Sequence, residues 1–70
     1  RKKTVIKTNE QLQNCINSNL DVEVWFSGTL DSISKIVGFD EDVVIIDDGK
    51  YIRNNCTLRV KVNYLTLVKK

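Results

Sequence analysis

The feature that most constrains this chain is a two-residue alternation of apolar and polar side chains, which begins after Asp21 and continues almost to the last residue. β-Branched residues dominate this part, and a period of two is typical of strands with one buried face. The chain contains no proline, so nothing in the sequence prevents these strands from pairing through their backbones. We therefore expect a mainly β protein.

Turn signals divide the alternating part into strands. Ser27-Gly28 is expected to turn the chain after the first of them, and the acidic triplet Asp40-Glu41-Asp42 to end the second. Asp48-Gly49 has the composition of a type I′ turn, whose two central residues both take positive φ. The predicted strands are an edge strand at Thr4 to Ile6, followed by Val22 to Phe26, Leu30 to Phe39, Val43 to Ile46 with both faces covered, Tyr51-Ile52, Leu58 to Val62 and Leu65 to Val68.

Residues 8–20 carry the one helical pattern in the sequence. Thr8 and Gln11 have the spacing of a capping box, in which each side chain accepts a hydrogen bond from a backbone N–H of the first turn. Apolar residues then recur at helical spacing and form one stripe of Leu12, Cys15, Ile16 and Leu20. Because so short a helix is not stable alone in water, we expect it to pack on the sheet.

The length of 70 residues allows a single domain, residues 1–70. Five or six short strands joined by tight turns favour a small, strongly bent barrel over a sandwich, with one amino-terminal helix before it. A domain of this size buries only about 60% of the surface of its unfolded chain. We therefore expect it to form a homo-oligomer, in which strand edges pair between subunits.

The composition argues against catalysis and against a membrane span. Without any histidine, the chain lacks the commonest general base and zinc ligand, and Ser32 and Ser34 have no partner to activate them. Cys15 and Cys56 lie 41 positions apart and are expected to be reduced thiols. The longest apolar run is Val43 to Ile46, far below the about 20 residues that cross a bilayer. We expect no enzyme, no cofactor, no metal site and a cytoplasmic location.

The net charge of +2 is the sum of three segments of opposite sign. Residues 1–20 carry four basic side chains and one acidic one, residues 21–48 carry one basic and eight acidic, and residues 49–70 carry six basic and no acidic. Two interpretations stay open. Either the folded surface mixes these segments and the charges only confer solubility, or a basic side binds phosphate groups through Lys50, Arg53, Arg59 and Lys61.

Trp25 and Tyr51 are candidate platforms for base stacking. Trp25 alternates with Val24 and Phe26, so its side chain is expected on the opposite side of its strand. Covered by the helix it would belong to the core, and without that cover it would be an exposed aromatic side chain for a partner. The sequence leaves both alternatives open.

Two short motifs carry a family resemblance. The stretch Phe39-Asp40-Glu41-Asp42-Val43-Val44-Ile45-Ile46 has an aromatic-Asp pair where one strand ends and an apolar run where the next begins. Ile52-Arg53-Asn54-Asn55-Cys56 is similar to an Ile-Arg-Gly-Asn motif before a last strand. With the amino-terminal helix, the loop glycine Gly28 and the small residue Ser34, this order resembles the Sm-like barrels, in particular their bacterial Hfq branch, over roughly residues 9–62.

The resemblance implies an SH3-like barrel, a ring of subunits joined edge to edge, and RNA binding. It also implies that Arg53 and Asn54 lie near a central pore, which adds Asn54 to the candidate nucleic-acid-binding residues, and that Gln11 or Gln13 lies on one face of the ring. Without the resemblance, a second interpretation of Arg53 is open: it is an exposed cation of the hairpin, paired with Asp47 or Asp48.

The leading hypothesis is a non-enzymatic, oligomeric nucleic-acid-binding protein of bacterial or phage type, with RNA favoured over DNA. A second hypothesis is a phage- or plasmid-type interaction module that binds a host protein or sequesters a signalling nucleotide. A third is a structural subunit of a larger assembly, which needs neither ligand.

Overall fold

The computed structural model describes residues 4–47 and 49–61, which form six strands, one α-helix and one short 3₁₀ turn. The described part is mainly β, as predicted, and the helix lies near the amino terminus. The elements in chain order are β1 (Thr4–Ile6), α1 (Asn9–Asn17), β2 (Asp21–Phe26), β3 (Thr29–Phe39), β4 (Val43–Ile46), β5 (Gly49–Ile52), the 3₁₀ turn (Arg53–Asn55) and β6 (Thr57–Val60).

All six strands belong to one antiparallel sheet in the order β1-β6-β2-β3-β4-β5. The long strand β3 connects two halves of this sheet, because its residues up to Lys35 pair with β2 and its residues from Ile36 onward pair with β4. A register shift between Ile36 and Gly38 marks an irregularity just past this change of partner. Within the described residues the hydrogen-bonded order is open, with β1 at one end and β5 at the other.

The helix begins as predicted and ends earlier than predicted. Thr8 Oγ1 accepts a hydrogen bond from the Gln11 N–H at 3.1 Å, and Gln11 Oε1 accepts one from the Thr8 N–H at 3.1 Å, so the capping box is confirmed. The helix ends at Asn17, and Asn19 then takes a positive φ of 56°. Asn tolerates this conformation better than most residues, which explains why the chain leaves the helix before Leu20.

The core lies between the helix and the inner faces of the strands. Its helical side is formed by Leu12 and Cys15, both buried, with Ile16 and Leu20 partly buried against it. The buried side chains from the strands are Ile6, Val22, Val24, Ile36, Val44, Ile46, Leu58 and Val60. The two-residue alternation therefore predicted most of the inward positions in β2, β4 and β6.

Two predictions about the strands are wrong. Phe26, which the alternation places on the same face as Val22 and Val24, is 48% exposed because it is the last residue of β2, next to the Ser27-Gly28 turn. Ile45 is 38% exposed, so β4 is covered on one face only. The helix packs on β3, and no other described element covers the outer side of β4.

Both predicted hairpin turns exist, and one lies a residue earlier than expected. Ser27 and Gly28 have φ of 53° and 77° and join the paired residues Phe26 and Thr29, which is the pattern of a type I′ turn. In the second hairpin Ile46 pairs with Gly49, so Gly49 begins β5 instead of lying in the turn; Asp48 lies outside the described residues. Residues 62–68, which include the last predicted strand, lie outside the described residues.

Candidate nucleic-acid interface

The candidate nucleic-acid-binding residues occupy three separate places. Lys50 and Tyr51 lie on β5, at one end of the sheet order. Arg53 and Asn54 lie in the 3₁₀ turn that connects β5 to β6. Arg59 lies on β6, Lys61 directly follows that strand, and Trp25 lies on the neighbouring strand β2.

Arg53 joins three segments of the protein. Its Nη1 donates hydrogen bonds to Asn9 Oδ1, at 2.8 Å, and to the carbonyl oxygen of Asp40, while its Nη2 donates to the carbonyl oxygen of Lys7 at 3.1 Å. The guanidinium carbon lies 5.9 Å from the ring centroid of Phe39. Arg53 therefore stabilises the junction of β1, α1 and the β3–β4 turn. Among the described residues it forms no ion pair with Asp47, and Asp48, the other partner that the sequence suggested, lies outside them.

The acidic turn after β3 is held by its own first residue. Asp40 Oδ1 accepts hydrogen bonds from the backbone N–H groups of Asp42 at 2.8 Å and Val43 at 2.9 Å. These bonds from Val43 and Asp42, helped by the positive charges of Arg53 and Lys50, hold the pKa of Asp40 below its ordinary value. The triplet therefore forms a turn, as predicted, and the Asp40 carboxylate stabilises this turn in its ionised form.

Arg59, Trp25 and Glu23 form a cluster on the outer side of β2 and β6. The guanidinium carbon of Arg59 lies 4.8 Å from the centroid of the Trp25 ring, and Trp25 Nε1 donates a hydrogen bond to Glu23 Oε1 at 2.9 Å. Glu23 is only 4% exposed and stands opposite Arg59 in the β2–β6 register. Trp25 is half-buried, so neither of the two alternatives for it, a core position or a freely exposed ring, describes its position.

The register of β1 and β6 gathers basic residues at one end of the sheet. Thr4 pairs with Val60, so the chain enters β1 at the end where it leaves β6. The sequence has Arg1, Lys2 and Lys3 directly before Thr4, and Lys61 directly after Val60. Lys61 is exposed and belongs to no ion pair within the described residues, whereas Lys35 is bound by Asp21 at 2.6 Å. We call Arg59 and Lys61 the basic end; residues 1–3 lie outside the described residues.

Tyr51 is turned toward the interior. Its hydroxyl donates to Asp31 Oδ2 and lies 3.1 Å from Ser32 Oγ, and its ring packs against the core. The hydrogen bond to the Asp31 carboxylate raises the pKa of Tyr51. Because Ser32 belongs to the half of β3 that pairs with β2, this contact brings β5 across to the other half of the sheet. Tyr51 thus connects the two halves through its hydroxyl group, and base stacking on its half-buried ring stays a prediction.

A groove of about 370 Å³ opens where β1, α1, the 3₁₀ turn and β6 meet. Its apolar residues include Leu12 and Leu58, and its polar ones include Lys7, Arg53 and Asn54. Cys56 lines the groove as a free, half-buried thiol, while Cys15 is fully buried and free. Burial raises the pKa of Cys56 and raises that of Cys15 to about 11, so both thiols are protonated at neutral pH.

The described residues hold no group of three or more His, Cys, Asp or Glu side chains arranged to bind a metal ion. No helix within residues 4–47 and 49–61 has the length and hydrophobicity that crossing a membrane requires.

Fold and site together define a small, mainly β protein with one six-stranded antiparallel sheet, in which Arg59 and Lys61 lie at one end of β6 while Lys50 and Arg53 lie elsewhere. Comparisons with protein-family models, with curated proteins and with solved structures found no match for this chain. The resemblance to the Sm-like family therefore stays a prediction that depends on the two motifs.

Proposed function

We propose that this protein is a non-enzymatic nucleic-acid-binding protein that contacts phosphate groups through the basic end, with RNA favoured over DNA. The observation that carries the proposal is that Arg59 and the exposed Lys61 lie together at the end of β6 where Val60 pairs with Thr4. Neutralising several phosphates releases counterions, which supplies most of the affinity of sequence-independent binding.

The arrangement of acidic residues supports the same surface. The exposed acidic side chains of the β3–β4 and β4–β5 turns, Asp40, Glu41, Asp42 and Asp47, lie on the half of the sheet that is formed by β3, β4 and β5. In the other half, Glu23 is buried beside Trp25 and Asp21 is bound to Lys35. Phosphate groups that approach the basic end therefore meet little opposing charge.

The proposal includes a closed barrel of SH3-like or Sm-like type, located in the cytoplasm. The contact of Tyr51 with Ser32 supports closure, because it joins the last strand of one half to the other half of β3. The alternative to closure within one subunit is edge-to-edge assembly into a homo-oligomer, in which the β1 edge of one subunit joins the β5 edge of the next.

Salt dependence of binding tests the nucleic-acid proposal. We expect fluorescence anisotropy with mixed-sequence single-stranded RNA to show binding at about 50 mM salt that weakens steeply toward about 200 mM. Lys61→Gln removes one phosphate contact and is expected to weaken binding several-fold and to reduce the salt slope by about 0.7. Lys7→Gln is the matched control, because it removes the same charge from an exposed lysine at the other end of β1 from Thr4. Absence of binding at about 50 mM salt contradicts the proposal.

A second candidate function is the binding of a small anionic ligand such as a nucleotide. The groove favours it, since about 370 Å³ lies within the range of small-molecule sites and Lys7 and Arg53 line it. A panel of nucleotides tested by thermal shift and calorimetry would show saturable binding that Lys7→Gln weakens. Binding of a host protein and a structural role in a larger assembly stay predictions.

A further inference from the structure

We propose that the outer face of β3, β4 and β5 is the interface with a second copy of this chain, related by a two-fold axis. This outer β4 face consists of Val37, Val43, Ile45 and Ile52, with Lys50 and Asp47 at its rim. Val37 is 57% exposed, Ile45 38% and Ile52 55%. The inference is independent of nucleic-acid binding, because the basic end lies in the other half of the sheet.

The strand register shows that these side chains share one face. Val43 pairs with Ile52 and Ile45 pairs with Lys50, while the intervening pair of Val44 and Tyr51 points to the core. On the other side of β4, Ile45 stands opposite Gly38, and its Cδ1 lies 3.7 Å from the position that a Cβ on Gly38 would take. The side chain of Ile45 thus lies over the glycine, which leaves a nearly flat apolar surface.

Charge complementarity points to a second copy as the occupant. Lys50 and Asp47 are both exposed at the hairpin end of the face, and neither belongs to an ion pair within the described residues. A two-fold axis presents the same cation and the same anion on both subunits, so Lys50 of each copy meets Asp47 of the other, and both pairs form at once. The association also buries apolar surface that a chain of 70 residues is too small to cover by itself.

Native mass tests the interface. Sedimentation or light scattering of the wild-type protein is expected to show a dimer at concentrations of tens of micromolar. Ile52→Lys places a charge on this apolar face, beside Val43, and is expected to raise the dissociation constant by at least 100-fold. Ile33→Lys is the matched control, because Ile33 is 56% exposed and lies in the half of β3 that pairs with β2, so it is expected to leave the dimer intact.

A charge-reversal cycle tests the pairing. Lys50→Asp and Asp47→Lys are each expected to weaken the dimer at least tenfold, and the double variant to recover most of the affinity. Circular dichroism melts check that every variant is folded. We expect folded variants, because substitutions at exposed positions usually change stability little. A wild-type protein that stays monomeric, a dimer that survives Ile52→Lys, a dimer lost in Ile33→Lys, or a double variant that does not recover would each overturn the proposal. A monomer that captures another macromolecule through this face would overturn it as well.

Discussion

Arg53 shows how one side chain connects segments that are far apart in the sequence. Its acceptors belong to Lys7, Asn9 and Asp40, and each bond is to a neutral oxygen. The planar guanidinium offers several donors in fixed directions, and this lets one residue satisfy acceptors on three segments. The motif Ile52-Arg53-Asn54-Asn55-Cys56 made Arg53 a candidate for RNA contact. In the structure, its guanidinium group donates hydrogen bonds to acceptors within the protein.

We predict that Arg53→Lys destabilises the protein by about 1–3 kcal/mol, because an ammonium group cannot reach all three acceptors and leaves some without a donor. Urea unfolding measured by circular dichroism gives the difference. Asn55→Ala, a change at an exposed side chain in the same 3₁₀ turn, is expected to stay within about 0.5 kcal/mol of the wild type. Equal stabilities of wild type and Arg53→Lys would show that these bonds contribute nothing to folding.

The low pKa of Asp40 predicts a loss of stability in acid. A carboxyl whose pKa is lower in the folded than in the unfolded state stabilises the fold above its unfolded pKa, and this contribution disappears as the pH falls through the folded value. Between pH 7 and about pH 3, the urea midpoint of Asp40→Asn is therefore expected to fall less than that of the wild type. Glu41→Gln, a change in the same turn that removes no acceptor of these N–H groups, should keep the wild-type pH dependence.

At the scale of elements, the β2–β3 hairpin depends on backbone conformation at its two turn residues. Ser27 and Gly28 both take positive φ, which matches the twist of the flanking strands. The sequence predicted this turn from a glycine and a small polar residue alone. It did not predict the extra residue in β3, Asp31, which has no partner in β2 between Ser32 and Leu30, because the apolar pattern carries no signal for a bulge.

We predict that Gly28→Ala destabilises the protein by about 1 kcal/mol, because a Cβ disfavours a φ of 77°. The cost comes from the backbone alone, since no atom lies within 4 Å of the added Cβ. Gly38→Ala is the control: its Cβ would meet Ile45 at an ordinary contact distance of 3.7 Å. Thermal unfolding of the two variants should therefore differ, and a Gly38→Ala variant as unstable as Gly28→Ala would contradict this explanation.

For the whole molecule, local signals predicted the elements better than the site. The capping box, the two hairpins and the alternation in β6 are short-range features, and the sequence contains them directly. The positions of the basic residues depend on pairing between strands far apart in the chain, such as Thr4 with Val60. The burial of Glu23 has no local signal either, because its neighbours Val22 and Val24 indicate an outward direction for it.

The proposed dimer predicts that stability depends on protein concentration. Association of folded chains favours the folded state by mass action, so the melting temperature of the wild type is expected to rise as its concentration increases. Ile52→Lys, which is expected to be monomeric, should melt at the same temperature at every concentration. A wild-type melting temperature that does not change with concentration would argue against a dimer of folded chains.

Trp25 is the one tryptophan in the chain, and its indole lies between Glu23, through the Nε1 hydrogen bond, and the guanidinium of Arg59. The intrinsic fluorescence of the protein therefore originates at the border of the basic end and reports on β2 and β6 alone. An oligonucleotide that draws Arg59 away from the ring would change the emission without any attached dye. The tryptophan emission should stay constant when two copies associate through the outer β4 face. Trp25 fluorescence would therefore distinguish oligonucleotide binding from dimer formation.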